Sequence, residues 1–453
     1  MHILFAAITG LLVAFLFHVN IMISFGFLFI AIYFLLPLNI KVYILITSVV
    51  IPFALPFLNL RLTEFLSPLV LVVILFDTYK YAVQFRRNVF SGLPFIFKFA
   101  IAIIITWSLV NYYRKPVGGY FLLAASFREG GMRAYYQIFV GIFLFFCAFL
   151  YFKHYQFDQE RLFKCFIVLA LTVGLLRLLG FYYSFILPFV SGVFRFAEDS
   201  GSTYTRIGGL NEMTLLGIAS VLAVSFKKKI TLWIQAVLLL FSFLLIPAGG
   251  RTYFFAIVGS LVLYFTIFEP RRILNYTPYF VLIIATIVVM SFTPKFSSQI
   301  ERLFGIGGGF AAQDSFRSVT YDYYVNSFLI NPLFGKGIGY APEIIVGSAR
   351  ESDFVYQQLM QGGHGAYLSM LGLWGIGGLI FLLSMLAGGI YYSIFLIKMK
   401  QYEQTGIFCF FYLVVLSIDF ISGGNGYSSM EMWLLCGLVA ALISRSNGIN
   451  VDN

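Results

Sequence analysis

FRSVTYDYYVNSFLINPLFGKGIGYAPEIIVGSARESDFVYQQLMQGGHGAYLSMLGLWGIGGLIFLL, residues 316–383, begins in the one long polar segment of the chain and ends in a continuous apolar run. Phe316, Val319, Tyr323, Tyr324 and Phe328 fall at i, i+3, i+7, i+8 and i+12, which predicts a helix with one bulky face. Asn331-Pro332 ends it, because the residue before a proline is pushed out of the helical region. GKGIG, residues 335–339, then reads as a glycine-bent connection. A single histidine, His364, stands between glycines where the apolar run begins. Arg317 at the front and His364 at the back therefore flank a segment that meets a bilayer edge.

The rest of the chain supplies that bilayer reading. Its 453 residues are 60% hydrophobic and 11% charged, against about 25% charged in a soluble domain, and the mean hydropathy is +0.91. A water-soluble core cannot absorb so much apolar sequence, whereas a membrane can. The fold class is all-α: a polytopic membrane helix bundle. Apolar runs lie at roughly 3–19, 21–38, 40–57, 64–79, 94–112, 134–152, 162–186, 207–225, 230–247, 251–268, 276–292, 366–396, 405–422 and 429–444, about 12 to 14 spans at ~20 residues each. The N-terminus has no basic region and no small-residue cleavage site, so the first run is read as a retained span. Cys147, Cys165, Cys409 and Cys436 all lie in apolar segments, without disulfide or metal-type spacing.

The net charge of +11 is distributed by loop. Lys80, Arg86 and Arg87, then Lys153, Arg161 and Lys164, then Lys227, Lys228 and Lys229, then Arg271 and Arg272, then Lys398 and Lys400 occupy alternate connections. Positive loops stay cytoplasmic, so these face inward together with both termini. Segments 113–133, 187–206, 248–250, 293–365 and 423–428 then face outward. This places Arg206, Arg251, Arg317 and His364 on one outer face. The chain divides into a bundle, 1–292, a large outer loop, 293–365, between the fourth- and third-last spans, and a C-terminal bundle and tail, 366–453. The loop is far longer than an ordinary connection, at about 70 residues. It is rich in aromatics, including the cluster from Tyr321 to Tyr324, which disordered segments lack. It is expected to fold as short helices over the membrane, with its rings forming a small core and an interfacial belt.

The charges at the outer edge have two readings each. Arg251, opening a span in PAGGRTYFF, is either a snorkelling anchor or an anion ligand. Arg206, in TRIGGLNEM, opens another span, with Asn211 and Glu212 about a turn inside. Arg177 lies within a span and is expected to pair with Glu212 or Asp419, because buried membrane charges normally pair. GIGGG (305–309) and GKGIG lack the preceding strand and following helix of a phosphate-binding loop. The chain has no H-E-x-x-H and no acidic run to hold a metal. Charge on a diphosphate would fall to arginine, whose planar fork suits it.

Taken in order, RIGGLNE, GGRTYFF, FRSVTYDYYVNSFLINPLFGKGIGY and GGHGAYLSMLGLWGIGGLIFLL resemble the motif series of the O-antigen polymerase and O-antigen ligase superfamily, over residues 206–395. Gly365 stands where Asn or Ser commonly follows the histidine, and Gly250 where Ser commonly precedes the arginine. The resemblance implies a metal-independent and cofactor-free glycosyltransferase of the bacterial inner membrane, acting at its periplasmic face on undecaprenyl-diphosphate-linked glycans. It implies His364 as the base and Arg317 and Arg251 as diphosphate ligands, with Arg206 a further candidate; Asn211, Tyr321 and Tyr324 are candidate substrate contacts, the rings because a sugar offers an apolar C–H face to stack on. An unperturbed imidazole value of ~6.5 suits a base at neutral pH. The expected activity is polymerisation of O-antigen or capsule repeat units for lipopolysaccharide biosynthesis or a related polysaccharide, alongside a protein that sets chain length. The alternatives are a ligase onto lipid A core, and a flippase or transporter of lipid-linked sugar; no internal repeat of the kind common in transporters is visible.

The charge pattern yields a direct test. A reporter fused after Lys229 or Arg272 should read cytoplasmic and one near Gly347 periplasmic. A cytoplasmic signal at Gly347 would put His364 and Arg317 in the wrong compartment.

Overall fold

The computed structural model describes residues 33, 36–50, 54–55, 60–85, 90–114, 131–182, 210–228, 231–248, 251–272, 310–337, 365–421, 426 and 429–449. Its helices are α1 (Leu38–Val50), α2 (Leu62–Phe85), α3 (Phe95–Arg114), α4 (Gly131–His154), α5 (Gln159–Tyr182), α6 (Leu210–Ser225), α7 (Leu232–Ala248), α8 (Arg251–Phe268), α9 (Phe310–Ile330), α10 (Ala366–Lys398), α11 (Glu403–Asp419) and α12 (Met430–Ile449). A two-residue hairpin, β1 (Ala54–Leu55) with β2 (Leu60–Arg61), joins α1 to α2. Eleven of these helices match apolar runs of the sequence within a few residues. The runs at 3–19 and 276–292, and nearly all of 21–38, lie outside the described residues, as does most of 293–365. Four helices, Phe95–Arg114, Tyr135–His154, Gln159–Leu179 and Ala366–Lys398, are long and apolar enough to cross a membrane.

A helix satisfies its own backbone polar groups, which is why apolar sequence in lipid takes this form. Small residues then let the helices approach. At the crossing of α4 and α12, a Cβ on Gly141 would stand 2.3 Å from Trp433 Nε1, and one on Gly437 would stand 2.4 Å from the Phe145 carbonyl oxygen. Trp433, Phe145 and Phe149 are fully buried there.

Three of the basic connections, α4–α5, α6–α7 and α10–α11, gather at one end. Lys227 Nζ bonds Glu403 and Lys228 Nζ bonds Glu160, each at 2.7 Å. Gln159 Oε1 accepts from Thr405 Oγ1 at 2.8 Å. Arg445 Nη1 donates to the Tyr155 carbonyl at 3.2 Å, and Tyr155 donates to Asp77. Three of the five positive loops read from the sequence thus share a location in space.

At the other end α10 is broken. Gly375 (φ 66, ψ −158) interrupts it, and the residues after α9 dock into the break. Ile376 N–H, which an unbroken helix would give to Gly372 O, donates instead to Pro332 O; Lys336 N–H takes Gly372 O and Gly337 N–H takes Leu373 O, all at 2.9 Å. Trp107 Nε1 of α3 holds the Leu333 carbonyl at 2.9 Å. Within GKGIG the Gly337 amide is thus committed to α10, and the Gly335 amide donates to the Asn331 carbonyl at 2.8 Å. GIGGG differs from its sequence reading. A helix, α9, does follow it, starting at Phe310.

Gly375→Ala would set a methyl 2.4 Å from the Leu333 carbonyl and force an L side chain to positive φ, so it should cost about 3 kcal/mol or more. Gly259→Ala in α8, where a Cβ meets nothing within 4 Å, should be neutral or gain up to about 1 kcal/mol. Thermal unfolding in detergent compares them, and equal melting temperatures would mean that the break is not held by this fit.

Candidate active site at the end of the bundle

The last turn of α11 is bordered by Gly365 and Tyr367 at the start of α10. Tyr367 Oη of α10 donates to the Ser417 carbonyl at 3.0 Å, and Tyr367 N–H points to the Phe420 carbonyl at 3.5 Å. Gly365, the residue after His364, has φ 81. A Cβ there would lie 3.0 Å from Tyr321 Cε1 and 3.4 Å from the Ile421 carbonyl oxygen. Tyr321 of α9 thus packs on the chain beside His364, one turn after Arg317. The positive φ and this contact explain why glycine stands where the resembled motif has Asn or Ser.

On its other side the same turn carries Asp419, which is buried. Asp419, Glu212 and Glu431 all act electrostatically on Tyr253, and Tyr412 lies beside it. Tyr253 is two residues into α8, so this cluster sits under the helix start that Arg251 occupies. Asn211 and Glu212, in the first turn of α6, bring buried oxygens, Asn211 Oδ1 and Glu212 Oε2, that have no hydrogen-bond partner among the described residues. Arg177, 3% exposed, has Glu212 as its opposite charge. Of the two carboxylates expected to pair with Arg177, Glu212 is the one whose charge acts on it.

The fold thus brings Glu212 toward Asp419 and Glu431, which stand on consecutive helices, where the sequence displays no acidic run. Among the described residues no group of three His, Cys, Asp or Glu could hold a metal ion. Tyr324 is fully buried, and a Cβ on Gly372 of α10 would lie 2.7 Å from its Cα. Its part is to seat α9 on α10; a ligand outside the protein would meet Tyr321 instead. Beside it, burial pushes the Tyr323 phenol up to about 12, and Lys336 Nζ stands 5.0 Å from that ring. The sequence reading passed over Tyr253, Tyr412 and Glu431. Glu431 was accessible to it as an ionisable residue at the mouth of an apolar helix; the two tyrosines were indistinguishable from other aromatics. Arg206 and His364 lie outside the described residues, and Arg251 and Arg317 are described in backbone only.

Comparison with models of known protein families gives no match, and comparison with curated proteins gives none either.

The pair across α5 and α6 is measurable. Arg177→Met should cost about 3 kcal/mol, the low end for a buried pair because Glu212 is only half-buried. Combining it with Glu212→Gln should cost less than the sum of the two. A double-mutant cycle on thermal unfolding reads the coupling; strictly additive losses would show that the two charges do not interact.

Proposed function

We propose that the chain is a polymerase of undecaprenyl-diphosphate-linked oligosaccharides, acting at the periplasmic face of the bacterial inner membrane with both termini in the cytoplasm. The observation that carries this reading is the convergence at α11. One turn of helix borders the start of α8, where Arg251 stands, the first turn of α6 with Asn211, and the Gly365–Tyr321 contact next to His364. These elements come from four separate stretches, and all lie away from the end that gathers the basic loops.

In the proposed reaction an acceptor sugar hydroxyl attacks the anomeric carbon of the donor glycan. A new C–O bond forms, the bond from that carbon to the diphosphate breaks, and undecaprenyl diphosphate leaves with the electron pair. His364 takes the hydroxyl proton. Arg317 and Arg251, with Arg206, offset charge building on the diphosphate. Tyr321 offers a flat face to the sugar, and Asn211 an amide oxygen to a hydroxyl. The carboxylates under Tyr253 suit the work of orienting guanidinium groups, since a cation near them is stabilised at the entrance and an unpaired anion is not.

His364→Ala should slow transfer about 100- to 10,000-fold while donor binding stays nearly unchanged, because the base acts in the transition state and the arginines hold the ground state. Arg317→Lys should lose much of its activity with charge retained. The assay is ladder formation by purified protein from lipid-linked repeat units, with and without EDTA. Ladders from His364→Ala at the normal rate, or loss of ladders on chelation, would overturn the mechanism. Cells lacking the chain should carry single repeat units on lipopolysaccharide; bare core would point to a ligase or flippase instead.

A further inference from the structure

The seam between α3 and the end of α9 has three features that the catalytic cluster does not use. The first is apolar surface. Leu329, Ile330 and Leu333 are 66%, 86% and 59% exposed, and Leu109 of α3 is 60% exposed. The second is cationic. Arg114, the last residue of α3, stacks on Phe334 with its Cζ 4.8 Å from the ring centroid, and Lys336 stands over Tyr323. A guanidinium stacked by its face keeps its edge N–H fork free for phosphate oxygens. The third is an orphan donor. Asn111 is 2% exposed, and its Nδ2 has no hydrogen-bond partner among the described residues. It lies between Trp107 and Arg114 on the helical face by which those two reach Leu333 and Phe334. An apolar strip ending in two cations and a buried amide donor matches a lipid with an anionic phosphate head.

Resting on the polymerase reading, the chemistry says which lipid. Polymerisation joins two lipid diphosphates, and only one of them is cleaved; the other must stay anchored while its distal sugar reacts. In that reading the arginines at the cluster around α11 are taken by the donor diphosphate, so the retained one needs a site of its own. We propose that the seam of α3 and α9 is a second lipid-diphosphate site, in which Arg114, Lys336 and Asn111 hold the head of the acceptor lipid and its polyprenyl chain lies along Leu333 and Ile330.

The test is native mass spectrometry of the full chain in phosphatidylcholine nanodiscs, titrated with undecaprenyl diphosphate. The wild type should hold two molecules. Arg114→Gln with Lys336→Gln should keep the first and bind the second at least about tenfold more weakly, as expected for lost charge-assisted hydrogen bonds. If that double variant fails to hold even the first molecule, Arg114→Lys, which keeps charge and loses the fork, should weaken the second molecule alone. One molecule on the wild type, or an unchanged second affinity in the variants, overturns the site. Displacement of the second molecule by phosphatidylglycerol as readily as by undecaprenyl diphosphate makes the seam a general anionic-lipid surface and also overturns it. Binding of no molecule at all by the wild type counts against the polymerase reading itself, a distinct failure.

Discussion

A backbone group left without a partner in lipid costs several kcal/mol, and the break in α10 is tolerable only because the docked loop repairs it. Pro332, Lys336 and Gly337 exchange hydrogen bonds with Gly372, Leu373 and Ile376, so neither the broken helix nor the irregular loop leaves these groups open. Glycine is required on both sides. A Cβ on Gly335 would lie 2.5 Å from the Leu373 carbonyl carbon, as one on Gly375 would meet Leu333. Everything at this end follows from that mutual repair. α9 is pinned along α10, Tyr324 is sealed between them, and Tyr321 is delivered to Gly365.

Charge is divided between the two ends by a different logic. The pairs joining Lys227 to Glu403 and Lys228 to Glu160 are partly exposed, and such pairs contribute little each. They mark where the positive loops collect and tie the connections α4–α5, α6–α7 and α10–α11 together. At the opposite end Arg177, Glu212 and Asp419 are more deeply placed, so their interactions are less screened and the cost of an unmatched partner is larger. An acidic interior beneath an arginine at a helix start is a local field that orders guanidinium groups and repels a stray anion.

The sequence was most legible where one physical rule acts alone. Length of apolar run located the spans, and the spacing of Phe316, Val319, Tyr323 and Phe328 with the Asn331-Pro332 stop located α9 and its end. It was illegible where the outcome depends on a partner. Gly375 is one glycine among several in LGLWGIGGL, and nothing local distinguishes the one that breaks the helix. Tyr321 and Tyr324 are both aromatics of one cluster, yet helical rotation turns Tyr324 into the α10 interface and leaves Tyr321 against Gly365. Glu212 is more than 200 residues before Asp419 and Glu431, and only helix packing makes it their neighbour. At Gly365 the left-handed backbone and the Tyr321 ring make glycine a steric requirement, which nothing in the local sequence displays.

α10 also relates the two lipid sites proposed here. Its first turn borders the α11 cluster, and its break seats the loop that carries Lys336. From Gly365 to Gly375 the helix rises about 15 Å. A cleaved diphosphate at the first position and a retained one at the second would therefore be separated by the reach of a short oligosaccharide. That separation has a chemical use. In the proposed reaction, an acceptor anchored by its own diphosphate at the seam would present the far sugar of its repeat unit beyond the start of α10, whereas the sugar next to its diphosphate would fall short. The same rigid helix that needs Gly375 to accept the loop would then act as the ruler that selects which hydroxyl is glycosylated.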